Sequence, residues 1–398
     1  MRDNAILVLN SGSSSLKFGV YFAANGEVRT TYRGEIEGIG GGEGKIWVKD
    51  GSGKTLEEQS RNFAQQSDAA KAVAEKLTKF KLAKIAGIGH RIVHGGPSLT
   101  SHQQITPQVL QTLEEAAHFA PLHVPAAIAL IREAEKLYPG VPQFACFDTA
   151  FHTTMPPAAA RLPLPKKYWD AGIRKYGFHG LSCESIVYAL RERVPRHLIV
   201  AHLGNGASVT AIVGARSFDT TMGLTPTGGI IMGTRPGDLD PGVLLHLLNT
   251  GTEVSALAKL LDKESGLMGI SGSASDMRKL HEAADRGDRQ AALAIEMFAR
   301  AAAKAIGGFA AVMGGLDTLV FTGGIGEHDA DVREKICGGM EIFGVRLDEL
   351  ENKRNAAKIS RSASETVVEV IESDEDGQIA RHVVRLLGGR HETRGRGI

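Results

Sequence analysis

The feature that most constrains the fold of this 398-residue chain is a pattern that occurs twice. From Ala5 to Ile36, "AILVLNSGSSSLKFGVYFAANGEVRTTYRGEI" runs as a continuous apolar strand, a turn of small residues, a second apolar strand, an Asn-Gly turn and a third β-rich run. Near residue 200, "HLIVAHLGNGASVTAIVGARSFDTTMG" repeats that order of strand, Gly-rich turn, strand, turn and polar strand. Setting "VLNSGSSSLKFGVY" beside "AHLGNGASVTAIV" brings Gly12 and Gly204 into corresponding turns. A single motif can arise by chance, but a whole β-meander met twice reads as an internal duplication.

Helical patterns follow each meander, with apolar residues at three- and four-residue spacings. "DAAKAVAEKLTKFKL" and "PAAIALIREAEKLY" come after the first; "DPGVLLHLLNTG", "EVSALAKLLDK" and "AALAIEMFARAAAKAIGGFAAVM" come after the second, with Pro241 suited to a first helical turn. Short apolar strands intervene at "IAGIGHRIVHGG", "QFACFDTAFH" and "DTLVFTGGIGE". The order predicts two α/β domains with a cleft between them, which also suits the chain length.

Charge restricts the partners. Lys plus Arg number 46 and Asp plus Glu 45, so no net field steers the protein to nucleic acid or an acidic membrane, and any anion must be bound by local groups. Hydrophobic residues at 42% and charged residues at 23% fit a soluble globular protein. Cys146, Cys183 and Cys337 match no metal spacing and read as reduced core thiols. "MRDNAILVLNSGS" has too short an apolar core for a signal peptide, and no run approaches the roughly 20 residues of a membrane span. A cytoplasmic protein is expected.

Candidate chemistry gathers at strand ends. Small residues in the Gly12–Ser15 turn let backbone N–H groups and hydroxyls approach a phosphate, and Lys17 adds charge; a plain Gly/Ser turn with a solvated lysine would read the same. The second copy, "GNGAS", favours a polyphosphate held by two turns. "DGSGKT" lacks the glycine a P-loop needs, having Val48 there, and its flanks describe a hairpin. "LVFTGGIGEHDADVREKI" places Gly323, Gly324 and Gly326 after an apolar strand, with a helix expected to begin near His328 or Asp329, a context for a nucleoside or for a tight turn. Arg91, Arg235 and Arg278 offer guanidinium forks for an anionic group. His94, His123, His179 and His202 stand near strand ends, and the acids Asp148, Asp374, Glu375 and Asp376 could hold Mg²⁺ beside phosphates.

Taken in order, "LVLNSGSSSLKF", "GHRIVHGG", "APLH", "FDTAFH", "YGFHG", "HLGNGAS", "DTTMGLTP", "MGTRPGDLDPG", "SGLMGISG", "SDMR", "FTGGIGE" and "DEDGQIA" resemble the acetokinase family, of the sugar-kinase, Hsp70 and actin superfamily. The resemblance spans residues 7 to 380 and implies two duplicated ribonuclease H-like (actin-like ATPase) domains, each a mixed five-stranded sheet with helices. It implies residues 1–150 joined by a C-terminal helix 378–389 as the first domain, and 151–377 as a second, nucleotide-binding domain. Residues 390–398, Gly- and Arg-rich, read as a frayed tail.

The implied reaction is reversible phosphoryl transfer from ATP to acetate, giving acetyl phosphate and ADP, with Mg²⁺ or Mn²⁺, in a homodimer. By the family pattern, Asn10, Ser13, Ser15 and Lys17 form the first phosphate turn, and His202, Gly204, Asn205 and Gly206 the second. Arg91, Asp148, His179 and Arg235 surround the transferred group. Glu375 holds the metal with Asn10, Asp374 and Asp376 being neighbouring alternatives to Glu375. Val93, Leu122, Phe178 and Pro226 form the acyl pocket, with Arg91 beside it. Asp276, Met277, Arg278, Gly323, Gly324, Ile325, Gly326 and His328 flank the nucleoside, His328 standing where the family often has Asn. A propionate or butyrate kinase differs only in pocket size, and the same duplicated fold also serves nucleotide-responsive binding modules.

Overall fold

The computed structural model describes residues 4–394 apart from 13, 25, 26, 81–83 and 122, and for 4, 24 and 389–394 the backbone alone. The chain forms two compact units, Met1–Ala150 with Asp374–Ile398, and Phe151–Ser373.

The first unit is built on eight strands: β1 (Asn4–Ser11), β2 (Ser15–Ala24), β3 (Glu27–Glu37), β4 (Lys45–Asp50), β5 (Thr55–Ser60), β6 (Lys84–Ile92), β7 (Gln103–Gln104) and β8 (Gln143–Phe147). Their order is β5-β4-β3-β2-β1-β6-β8-β7. The second unit has β9 (His197–Leu203), β10 (Ala207–Val213), β11 (Arg216–Thr220), β12 (Thr318–Thr322) and β13 (Val367–Val370), ordered β11-β10-β9-β12-β13. The duplication becomes explicit in these orders. In β3-β2-β1-β6-β8 and in β11-β10-β9-β12-β13 the meander strands pair antiparallel and the next two join in parallel. Five strands were expected in each sheet, and the first carries eight. The hairpin around "DGSGKT" extends one edge as β4 and β5, and β7 caps the other.

Burial follows the strand period. Ala5, Leu7 and Leu9 pack with Leu16, Phe18 and Val20 under the helices Gln66–Lys79 and Val124–Leu137. On the opposite face the helix Glu375–Arg394 lies against β6, where a Cβ at Gly89 would meet Ile379 Cγ2 at 2.4 Å. Glycine is what lets that helix approach. The helix continues to Arg394, into the stretch expected as a frayed tail; residues 395–398 lie outside the described ones. None of the helices searched among the described residues is long and apolar enough to cross a membrane.

Two histidines are core residues. Burial holds His90 and His152 neutral, lowering each pKa from 6.5 to about 4. His90 Nε2 donates to Gln143 Oε1 at 2.7 Å; His152 donates from Nε2 to the Phe178 carbonyl at 2.8 Å and accepts from Ser217 Oγ at 2.9 Å. A base whose folded pKa is depressed stabilises fully above its unfolded value and loses that contribution as pH falls toward the folded one. Each histidine thus removes up to about 3 kcal/mol between pH 6.5 and 4. Thermal melting at pH 7.5 and 5 should show a clear fall in Tm, smaller in His90→Gln; equal Tm values at both pH values would contradict the assignment.

Candidate active site

In each unit the polar residues collect at the carboxyl ends of the three parallel strands, where side chains no longer have to serve the core. In the first unit Asn10 lies near the end of β1, Arg91 near the end of β6, and Asp148 follows β8. Arg91 shares its strand face with Gly87 and Gly89, so it points toward the start of the helix Glu375–Arg394. Its Nε and Nη2 donate to the two oxygens of Asp148, at 3.1 and 2.5 Å, and Nη1 reaches Asn10 Oδ1 at 3.4 Å. Burial pulls the guanidinium pKa down, but Asp148 and Glu375 outweigh it, so the pKa is raised and the charge kept. Asn10 Nδ2 donates to Asp376 Oδ1 at 3.0 Å, and Glu375 Oε2 is 3.8 Å from Arg91 Nε. Burial raises the Asp376 pKa against the opposing Asn10 hydrogen bond and Lys17 charge.

The Gly12–Ser15 turn joins β1 to β2 as a hairpin in which Lys17 pairs in register with Asn10. Ser15 opens β2, and the Gln66 amide donates to the carbonyls of Gly12 and Ser15 at 3.0 and 3.3 Å. Gln66 was not singled out by its sequence, because a glutamine in a first helical turn looks solvated. Ser13 and Leu122 lie outside the described residues.

In the second unit the turn Gly204–Gly206 joins β9 to β10, closed by the Gly204 N–H on the Gly206 carbonyl at 3.1 Å. A Cβ on Gly206 would stand 2.8 Å from Arg235 Nη2 and 3.4 Å from His179 Nε2, so both side chains abut this turn. Arg235 Nη1 also donates to the Pro226 carbonyl at 2.6 Å. His179 has φ 57°, a left-handed backbone uncommon outside glycine, at the start of the helix Gly180–Leu190. The His152 bond to the preceding carbonyl secures that turn. His179 Nδ1 bonds Ser208 Oγ at 2.9 Å, and its ring stacks on His202 at 4.2 Å.

An open pocket of about 800 Å³ lies beside this turn, lined by Gly204, Asn205, Asp276, Met277, Arg278, Gly324, Ile325 and His328 among the expected residues, and by Ser275, His281, Asp329 and Ala330 besides. Asp276 is salt-bridged to Arg278 at 2.8 Å, and the hydrogen bonds from that side chain and its backbone lower its pKa to about 2. Gly323 and Gly326 are buried behind the wall. The helix expected to begin near His328 or Asp329 is Ala330–Cys337, capped by Asp329, which accepts from the Val332 N–H at 3.0 Å, and a further short helix, Gly323–His328, precedes it. The glycines themselves enter a helical turn because Glu327 accepts their first N–H.

Val93 and Phe178 are buried, Phe178 at 1% exposure, and Pro226 is half-buried. His94 is a core residue whose Nδ1 accepts from the Gly96 N–H at 2.8 Å. His123 precedes the helix Val124–Leu137. All three cysteines are buried thiols outside any disulfide, and burial raises the Cys337 pKa to about 12.

A duplicated mixed sheet with glycine turns, partly buried guanidinium groups and an open pocket at its strand ends is the arrangement of a class: a two-unit α/β phosphotransferase. Residues 5–381 match the model of the acetokinase family, and the chain belongs to that family. It is 43% identical to an acetate kinase of Methylocella silvestris over 97% of this chain and 98% of that protein, and 41% identical to one of Bacillus subtilis over 96% and 99%. Among solved structures, a propionate kinase of Francisella tularensis superposes with a TM-score of 0.89 at 36% identity, covering 96% of this chain and 100% of that one.

Proposed function

We propose that the protein is an acetate kinase, transferring the γ-phosphoryl group of ATP reversibly to acetate to give acetyl phosphate and ADP. The observation that carries the reading is the match to curated acetate kinases along nearly the whole of both chains. In this reading the nucleoside enters the pocket between Arg278 and Ile325, and the Gly204–Gly206 turn beside it holds its phosphates. The bond from phosphorus to the β,γ-bridging oxygen breaks as one forms to a carboxylate oxygen of acetate. Acetate is already ionised near neutral pH, so no proton has to be removed and no covalent enzyme intermediate is needed. Arg91, Arg235 and His179 supply positive charge and hydrogen bonds to the equatorial oxygens, while Asp148 orients Arg91.

Asn10 Oδ1 with the carboxylates of Asp148, Glu375 and Asp376 makes an all-oxygen donor set, the kind that suits Mg²⁺. Glu375, with Asn10 nearby, would hold the ion, which when bound neutralises phosphate charge. Incubation with ATP, Mg²⁺, acetate and hydroxylamine should yield acetyl hydroxamate; absence of product would end the proposal. Relatives also include a propionate kinase at 41% identity, and kcat/KM measured from acetate to butyrate decides between acids that differ by a methylene worth about 10- to 200-fold.

A homodimer and a cytoplasmic location complete the proposal. The helix Pro241–Asn249 has no buried residue, with Val243, Leu245 and Leu248 exposed, the pattern of a face covered by a second copy. Sedimentation equilibrium should return twice the chain mass; a monomer at micromolar concentration would refute it. Buried thiols outside any disulfide suit a reducing compartment, and cell fractionation would test this.

A further inference from the structure

One carboxylate oxygen gathers three donors where the nucleoside pocket ends. Glu327 Oε1 accepts the Gly323 N–H at 2.8 Å, the Ser373 N–H at 3.1 Å and the Thr322 hydroxyl at 3.2 Å. The side chain is only 13% exposed, so these bonds are shielded from competing water. The first and third donors fix the turn after β12, whose next residues, Gly324 and Ile325, line the pocket. At this turn Gly323 has φ 76°, and a Cβ there would meet the Leu203 carbonyl at 2.7 Å. The turn is thereby pressed against the residue that precedes Gly204.

The second donor belongs to another segment. Ser373 is the last residue of its unit, and the acids Asp374, Glu375 and Asp376 follow it directly. Its Oγ donates to Ser182 Oγ at 2.9 Å, and Ser182 Oγ is 2.8 Å from His202 Nδ1. Ser182 Oγ thus links Ser373 to His202, whose ring stacks on His179. Sequence patterning could not single out Glu327, since an acid just after a run of glycines reads as solvated.

We propose that Glu327 is a positioning residue that ties the nucleoside wall to the segment presenting Glu375, so that nucleotide affinity and metal affinity depend on one carboxylate. The inference rests on the kinase reading given above for the role of Glu375. Removing the acceptor loosens two backbone segments at once, each held by a charge-assisted bond of roughly 1.5 kcal/mol, or about tenfold.

The test compares wild type with Glu327→Ala and Glu327→Gln. Calorimetry with ADP gives the nucleotide Kd, and titration of the forward rate with Mg²⁺ at saturating ATP gives the half-saturating metal concentration. In Glu327→Ala both constants should rise about tenfold while the KM for acetate stays within about twofold. In Glu327→Gln, which keeps an acceptor oxygen without charge, both should rise together by about threefold. Should the alanine variant not fold, the glutamine variant carries the same comparison. Constants unchanged, a shift in only one, or an equal rise in the acetate KM would overturn the inference. ADP binding needs no carboxylate, so a wild type that binds ADP but makes no acyl phosphate would refute the kinase reading separately.

Discussion

Replacing Arg91 by alanine should lower kcat by about 10³-fold, the loss expected when a donor that acts on the transition state is removed. Arg91 is held by both oxygens of an Asp148 that is 1% exposed, and its third nitrogen reaches Asn10. This arrangement orders the guanidinium before any ligand arrives, so little reorganisation remains for the reaction. Arg91→Lys should recover little. A lysine brings one point charge and no planar fork, and cannot engage both Asp148 oxygens and an anion at once. Asp148→Asn, which keeps the shape while loosening the fork, should cost less than Arg91→Ala. The hydroxamate rate measures all three, and a wild-type rate in Arg91→Ala would remove Arg91 from the chemistry. Because the alanine variant leaves the Asp148 carboxylate buried without its cation, its melting curve should be recorded alongside.

The second large effect is on stability. Arg333 is the largest fully buried side chain, at 0% exposure, and it meets no carboxylate within salt-bridge distance among the described residues. Its guanidinium instead donates to Asn352 Oδ1, the Asn352 carbonyl and the Gly326 carbonyl, each at 2.8 Å, and to Asn355 Oδ1 at 2.6 Å. Burial lowers its pKa, with the nearby Asp329 opposing. Arg333→Met fills a similar volume but abandons three buried acceptors and a fourth on the exposed Asn355, so the second unit should lose on the order of 3–5 kcal/mol. Since Gly326 belongs to the helix beside the pocket, ADP affinity should fall as well. Denaturant unfolding checks the first point, and an unchanged midpoint would show that the network contributes nothing net.

Much of the architecture was legible because it is written in local periods. Alternation in "SLKFGVYFAA" and continuous apolarity in "AILVLN" and "TLVFT" depend only on which faces a strand buries, so the repeated meander could be read directly. The turns at Gly12 and Gly204 were legible for the same reason, as was the hairpin at "DGSGKT". The limits of the glycine-rich segment after β12 were not. Its helical start depends on an acceptor supplied by Glu327 in space, against a propensity that disfavours glycine in helices.

Taken alone, the order of residues determined the duplication, the two sheets, the glycine turns and the family, because each is a property of neighbours along the chain. Tertiary structure alone decided the partners of polar side chains: that Asp148 serves Arg91, that Gln66 holds the first turn, that Arg333 is buried, and that Glu327 joins Gly323 to Ser373. A buried polar group must find its complement wherever strand order and helix placement bring one, often across tens or hundreds of residues. No pattern along the chain encodes that choice.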